Sequence, residues 1–164
     1  MKTKIIILIL LSISLFSAAQ NGSKTIKETI KSLVSLEGVN YFEVSQEMFN
    51  MLSESENIAP EFKAYISKLH QLKMIQGSGA NRQQIGLAVY QKFSETVNLK
   101  DYTRLMTRKE ANSSLSFYKK ENKTENEFLL LSTEMIIYIT GTLDLKSIGE
   151  FEQVMEIAGS AFDM

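Results

Sequence analysis

The spacing of apolar residues predicts that helices and strands alternate in the first part of the chain. Between positions 23 and 36, Ile26, Ile30 and Leu33 fall on one face of a helix, and Gly38 is placed to end it. Residues 39–44 are rich in β-branched and aromatic side chains, which predicts a strand. The same patterns then predict helices at 46–54 and 60–69, a brief strand at 72–75 and a long helix that ends near 98.

Strand candidates follow one another in the second half of the chain, at 103–109, 114–120, 126–132 and 135–140. Short polar connections separate them, which predicts an antiparallel meander. The segment 136–139 is apolar on both faces and is therefore expected near the centre of the sheet. A final helix is predicted to start near Asp144 or Ser147 and to bury Phe151. The predicted class is α+β, with an antiparallel sheet, a C-terminal four-strand meander and helices packed mainly on one face.

The N-terminus has the three parts of a secretory signal peptide. Lys2 and Lys4 precede an apolar run at 5–16, and small residues at 17–19 match a signal peptidase site. The apolar run is shorter than the roughly 20 residues that a membrane-spanning helix needs. We therefore expect residues 1–19 to be cleaved, leaving a single α+β domain at 20–164 in the periplasm or outside the cell.

Composition narrows the range of partners. The 164 residues carry 18 basic and 19 acidic side chains, and no long run of like charge stands out, so neither a nucleic-acid footprint nor a polybasic membrane patch is predicted. The chain has no cysteine, which removes both disulfide bonds and an acylated cysteine anchor. We expect no stable membrane anchor after cleavage, and a fold stabilised by burial of its 44% hydrophobic residues.

Several segments together resemble a known family. They are 102–107, 115–120, 127–131 and 139–145, together with Gly38-Val39 leading into a strand and Met48-Phe49 after it. The chain resembles domain-of-unknown-function family 4252, whose members are secreted proteins and lipoproteins of Bacteroidota. The resemblance implies no catalytic residues or activity. Some members of the family lie beside genes for extracytoplasmic sigma factors, so the resemblance implies a link to envelope stress. This chain lacks the acylated cysteine of the lipoprotein members.

The side chains that usually carry chemistry are scarce. His70 is the only histidine, too few for the usual zinc ligand sets, and no G-x-S-x-G motif supplies a nucleophile for it. His70 is therefore interpreted as a polar residue at a helix-to-strand boundary. Met48 and Met51 are too few for copper and are expected to pack in the core. We expect no catalytic residue, no metal and no cofactor.

Two further groups of residues have the composition of possible sites. Gly77, Ser78, Gly79 and Arg82 lie between a strand and a helix, where backbone amides could hold an anion, although the dinucleotide and Walker fingerprints are both incomplete. This loop is the chain's candidate anion site, with a plain strand-to-helix connection as the alternative. Glu125 and Glu127 are interpreted as a solvated strand end and not as a glycosidase pair.

Two classes of function remain open. The favoured one is a non-enzymatic envelope or secreted module that binds a protein or another ligand on the sheet or along a strand edge, with an envelope protein as one candidate partner. The alternative is a hydrolase-like enzyme whose dispersed site leaves no local motif.

Overall fold

A six-stranded antiparallel sheet organises the part of the chain that the computed structural model describes, residues 24–56, 58, 60–111 and 113–144. The strands are β1 (Val39–Ser45), β2 (Leu69–Gly77), β3 (Thr103–Lys109), β4 (Ser114–Lys120), β5 (Asn126–Ser132) and β6 (Met135–Gly141). They lie in the order β1-β2-β6-β5-β4-β3, and every neighbouring pair is antiparallel. The predicted α+β class and C-terminal meander are confirmed.

The described helices are α1 (Ile26–Leu33), α2 (Gln46–Glu54), α3 (Pro60–Ile66) and α4 (Arg82–Thr96). A capping box starts α1, because the Thr25 hydroxyl accepts a hydrogen bond from the Glu28 amide and the Glu28 carboxylate accepts one from the Thr25 amide. The predicted helix at 60–69 ends earlier, at Ile66. Leu69 instead opens β2, which is nine residues long and not brief. Pairing with β1 on one side and β6 on the other satisfies the backbone of β2 along this length, and this overrides the local helical spacing.

The central strands of the sheet are buried on both faces, whereas the edge strand β3 is mostly exposed. On the first, which we call the α4 face, α1 and α4 cover an apolar cluster that includes Phe93, Leu129 and Tyr138. On the second, the α2 face, α2 and α3 contribute Phe49 and Ile66 to another cluster. The central strand β6 requires this arrangement, because Ile136 and Tyr138 point to one face and Ile137 and Ile139 to the other. The longest helix lies on the α4 face, and the shorter α2 and α3 add cover on the opposite face.

The expectation that Met48 and Met51 pack in the core is wrong. Phe49 is the buried residue of α2, whereas Met48 and Met51 are 41% and 66% exposed. Phe49 and Leu52 lie three residues apart and form the inward stripe of the helix. Both methionines fall beside that stripe.

Two glycines allow α4 to lie close to the sheet. A side chain on Gly86 would come within 2.9 Å of the Thr133 carbonyl oxygen, in the turn between β5 and β6. A side chain on Gly77, at the end of β2, would come within 2.0 Å of the Arg82 carbonyl oxygen. The first turn of α4 therefore packs on backbone, which only glycine permits at these two positions.

The final helix predicted from near Ser147, including Phe151, lies outside the described residues, as does the predicted signal peptide. Among the helices that the structure does describe, none has the length and apolar character needed to cross a membrane.

Candidate functional site

The predicted anion loop is tied to the chain segment before β1. The backbone amide and the hydroxyl of Ser78 both donate to the Gly38 carbonyl oxygen at 2.8 Å. Arg82 lines a cavity of about 360 Å³ that Glu134 also lines, so a carboxylate faces the same space. Gly77 has a packing reason to be glycine, and Gly79 a conformational one, with φ of 67°. Anion binding by this loop stays a prediction.

His70 has an acidic partner. It is the second residue of β2, and its Nδ1 lies 3.1 Å from Oε2 of Glu125, whose Oε1 lies 3.7 Å from Lys27 Nζ. This places His70 in a half-exposed polar cluster beside α1. A catalytic triad would also need a hydroxyl or thiol nucleophile on the second ring nitrogen, and the described contacts of His70 include none.

In the described part of the chain, a cluster of hydrogen-bonded polar side chains surrounds Glu127. Its Oε2 accepts hydrogen bonds from the hydroxyls of Tyr102 and Tyr138, the latter at 2.7 Å. Its Oε1 accepts from Asn122 Nδ2 at 2.8 Å and lies 3.9 Å from Lys120 Nζ. The Lys120 ammonium in turn lies 5.4 Å from the centre of the Tyr102 ring, within cation–π range.

Strand register brings these residues together. Glu127 on β5 pairs with Lys120 on β4, and Leu129, two residues on, pairs with Tyr138 on β6. Since side chains two apart share a face, Glu127 and Tyr138 both lie on the α4 face. Tyr102 reaches the same point from the residue before β3. The site is therefore assembled from three neighbouring strands and two connections, since Asn122 lies between β4 and β5.

The hydrogen bonds fix the charge state of the cluster. Burial raises the pKa of Glu127, but the hydrogen bonds from the two tyrosines and Asn122, with the nearby Lys120 charge, outweigh it and bring the pKa below its ordinary value of 4.5. Burial, and then the hydrogen bond to Glu127, raise the pKa of Tyr102 and Tyr138 well above 10. At neutral pH the site therefore holds one carboxylate and two neutral phenols.

A cavity of about 470 Å³ opens onto this cluster. We call it the Glu127 cavity. Its wall runs from the start of α1 to the segment after α4, and a parallel bridge between Lys24 and Val97 holds these two segments side by side. The lining residues are Lys24, Thr25, Ile26, Lys27, Val97, Asn98, Lys100, Asp101, Tyr102, Lys120, Glu127 and Tyr138.

A similar cluster lies on the other side of α1. There Glu43 accepts hydrogen bonds from the Tyr41 hydroxyl and, at 2.7 Å, from Gln71 Nε2, while Lys73 Nζ lies 3.5 Å away. Burial, and then the hydrogen bond to Glu43, raise the pKa of Tyr41. This cluster shares its residue types with the Glu127 site but has one tyrosine instead of two, and it provides a matched control.

The interpretation of Glu127 as a solvated strand end is wrong. Its side chain is only 18% exposed and lies inside a strand whose next residues are buried. A signal for this was present in the sequence, since Glu127 is the one charged residue directly before the apolar run 128–131. Its partners are spread from Tyr102 to Tyr138, so sequence spacing alone did not bring them together.

The comparison with family models gives a match over residues 35–151, to the family described as Domain of unknown function (DUF4252). The chain belongs to this family. The match includes Tyr102, Glu127 and Tyr138, so the hydrogen-bonded centre of the cavity lies within the DUF4252 region, whereas Lys24 and Lys27 precede it. No curated protein and no solved structure matches the chain.

Among the described residues of this DUF4252 chain, no three histidine, cysteine or acidic side chains are grouped as a metal site would need. The charged and phenolic groups of the Glu127 cavity are instead four lysine ammoniums, two tyrosine phenols and the carboxylates of Asp101 and Glu127. These groups bind polar ligands through hydrogen bonds and charge.

Proposed function

We propose that this chain is an exported, non-enzymatic binding module of the cell envelope or its surroundings, and that its ligand occupies the Glu127 cavity. The observation that carries the proposal is the fixed arrangement of Glu127, Tyr102 and Tyr138 at a concave surface. Rigid polar groups in a cavity of a few hundred Å³ are typical of small-ligand sites. Export rests on the signal peptide pattern, and the link to envelope stress rests on the family resemblance.

The cavity is a better site than the exposed edge of β3. Of the two edge strands in the described sheet, β3 carries Arg104, Arg108 and Lys109 and has an irregular register at Leu105. Charged side chains and bulges are the usual means by which edge strands avoid pairing with other chains. The groups around Glu127, in contrast, line a concave surface.

An enzyme with a dispersed site is the alternative, because a half-buried carboxylate in a cavity is a common feature of active sites. The charge states favour binding over catalysis. General acid–base catalysis works best with a pKa near the working pH, whereas the pKa of Glu127 is lowered and those of both tyrosines are raised. All three groups therefore keep one protonation state near neutral pH.

Chemical-shift mapping tests the location of the site. The exported protein, labelled with ¹⁵N, is titrated with a library of small soluble acids, alcohols and aromatic compounds. We expect the amide signals of Tyr102, Lys120 and Glu127 to shift more than those of β3 or the Gly77–Arg82 loop. Shifts confined to the strand edges, or no shift at the cavity with any compound, would contradict the proposal.

A further inference from the structure

The lysines of the Glu127 cavity outnumber its carboxylates. Lys24, Lys27, Lys100 and Lys120 line it, against Asp101 and Glu127. The whole chain has a net charge of −1, so this positive surplus is local and does not reflect the overall charge. It favours a ligand with an acidic group and disfavours a cation.

For two of these lysines, the ion pair with an acidic side chain is long. Lys27 Nζ lies 3.7 Å from Glu125 and Lys120 Nζ lies 3.9 Å from Glu127, both longer than a direct charge-assisted hydrogen bond. The side chain of Lys27 is also 52% exposed. Either ammonium can turn toward a ligand without breaking a short ion pair.

The centre of the cavity does not favour an acidic group. It offers hydrogen-bond acceptors and therefore favours a ligand group that donates. The hydroxyl hydrogens of Tyr102 and Tyr138 are used in hydrogen bonds to Glu127, so each phenol oxygen can only accept a further hydrogen bond. Because Tyr138 is 1% exposed, the Tyr102 oxygen is the one open to a ligand. The Glu127 carboxylate, with about four acceptor positions, takes three short hydrogen bonds, and Lys120 is too distant to make a fourth. Hydroxyl donors fit this centre, whereas a second carboxylate would be repelled by Glu127.

These preferences point to one chemical class of ligand. Building on the proposed function, we infer that the Glu127 cavity binds a sugar acid, with its carboxylate against the lysines and its hydroxyls donating to Glu127 and the Tyr102 phenol oxygen. The volume of about 470 Å³ is within the range of small-ligand pockets. The acid could be a free monosaccharide or a terminal residue of an acidic polysaccharide, since both present the same groups.

Isothermal titration of the exported protein with three probes tests the ligand class. D-Glucuronate carries both groups, D-glucose lacks the acid and acetate lacks the hydroxyls. We expect glucuronate to bind with a Kd at least ~10-fold lower than either of the others, since only glucuronate uses both parts of the cavity. A glucuronate-terminated oligosaccharide separates the two sources, because a polysaccharide ligand predicts tighter binding than the monomer and a free acid predicts equal or weaker binding.

Three variants assign the binding to named groups. Lys120→Met should weaken glucuronate binding by about 10-fold and reduce the preference over glucose, because it removes charge and keeps the side-chain stem. Glu127→Gln should weaken glucose and glucuronate alike, because it replaces the charged acceptor at the centre. Glu43→Gln, at the matched cluster across α1, should leave both affinities unchanged.

The inference is overturned if glucuronate binds no better than acetate or glucose, or if Glu43→Gln weakens it as much as Glu127→Gln. A result in which library compounds shift the cavity amides but glucuronate shows no preference overturns the sugar-acid ligand alone. Absence of cavity shifts with every compound overturns the binding site as well.

Discussion

Ile139→Asp should abolish folding. Ile139 is fully buried in the central strand β6, where it packs on the α2 face among Leu72 and Phe128. Lys119, which pairs with Phe128 in the strand register on this face, already forms ion pairs with Glu121 and Asp144. The expected loss is on the order of several kcal/mol, comparable to the whole stability of a domain this size. Circular dichroism should show no cooperative melt, or one shifted far down.

Two matched variants test whether the loss of stability comes from a charge at a buried position. Ile139→Val keeps the site apolar and should cost about 1 kcal/mol. Thr107→Asp introduces the same charge on β3, where the side chain is exposed, and should change stability by less than about 0.5 kcal/mol. If Ile139→Asp melts like the parent, or Thr107→Asp unfolds the protein, the sheet order or its register is wrong.

Gly77→Ala should be almost as disruptive. The added methyl group would lie 2.0 Å from the Arg82 carbonyl oxygen and 2.9 Å from the Gly86 amide nitrogen, and both belong to the backbone of α4. The helix would have to move away from the end of β2, so we expect a loss of about 3 kcal/mol and a melting temperature lower by roughly 10 °C.

Gly79→Asn is the control for this loop. Nothing lies within 4 Å of a side chain at Gly79, and asparagine accepts its positive φ of 67° better than most residues. Its melting temperature should stay within a few degrees of the parent. Equal stability of Gly77→Ala and the parent would show that α4 does not pack on β2 as described.

The meander could be predicted from the sequence almost to the residue. Strands β3, β4 and β5 have the predicted bounds, and β6 ends one residue later, at Gly141. Each of these strands is bounded by polar residues, and the short connections leave antiparallel pairing with the next strand as the simplest arrangement. The residues within and next to each strand were therefore sufficient to predict the meander.

Pairing between distant parts of the chain limited how much of the remaining fold, and of the Glu127 site, could be predicted from the sequence. Leu69 fits the helical spacing of Phe62 and Ile66, and only its pairing with Gly141 of β6 decides that it belongs to β2. The Glu127 site depends even more on pairing. Tyr102, Glu127 and Tyr138 are spread over 37 residues, and they meet only when the registers of the last four strands are all correct. A single sequence carries no direct signal for such a set.

Direct titration of the Glu127 carboxyl by ¹³C NMR tests the central claim, that this cluster is a binding site and not an acid–base centre. We predict a midpoint below the ordinary value of 4.5, because hydrogen bonds from Tyr102 and Tyr138 stabilise the carboxylate. Tyr102→Phe should raise the midpoint, since it removes one donor. A midpoint near 6 or above in the parent protein would contradict the account and favour Glu127 as a general acid.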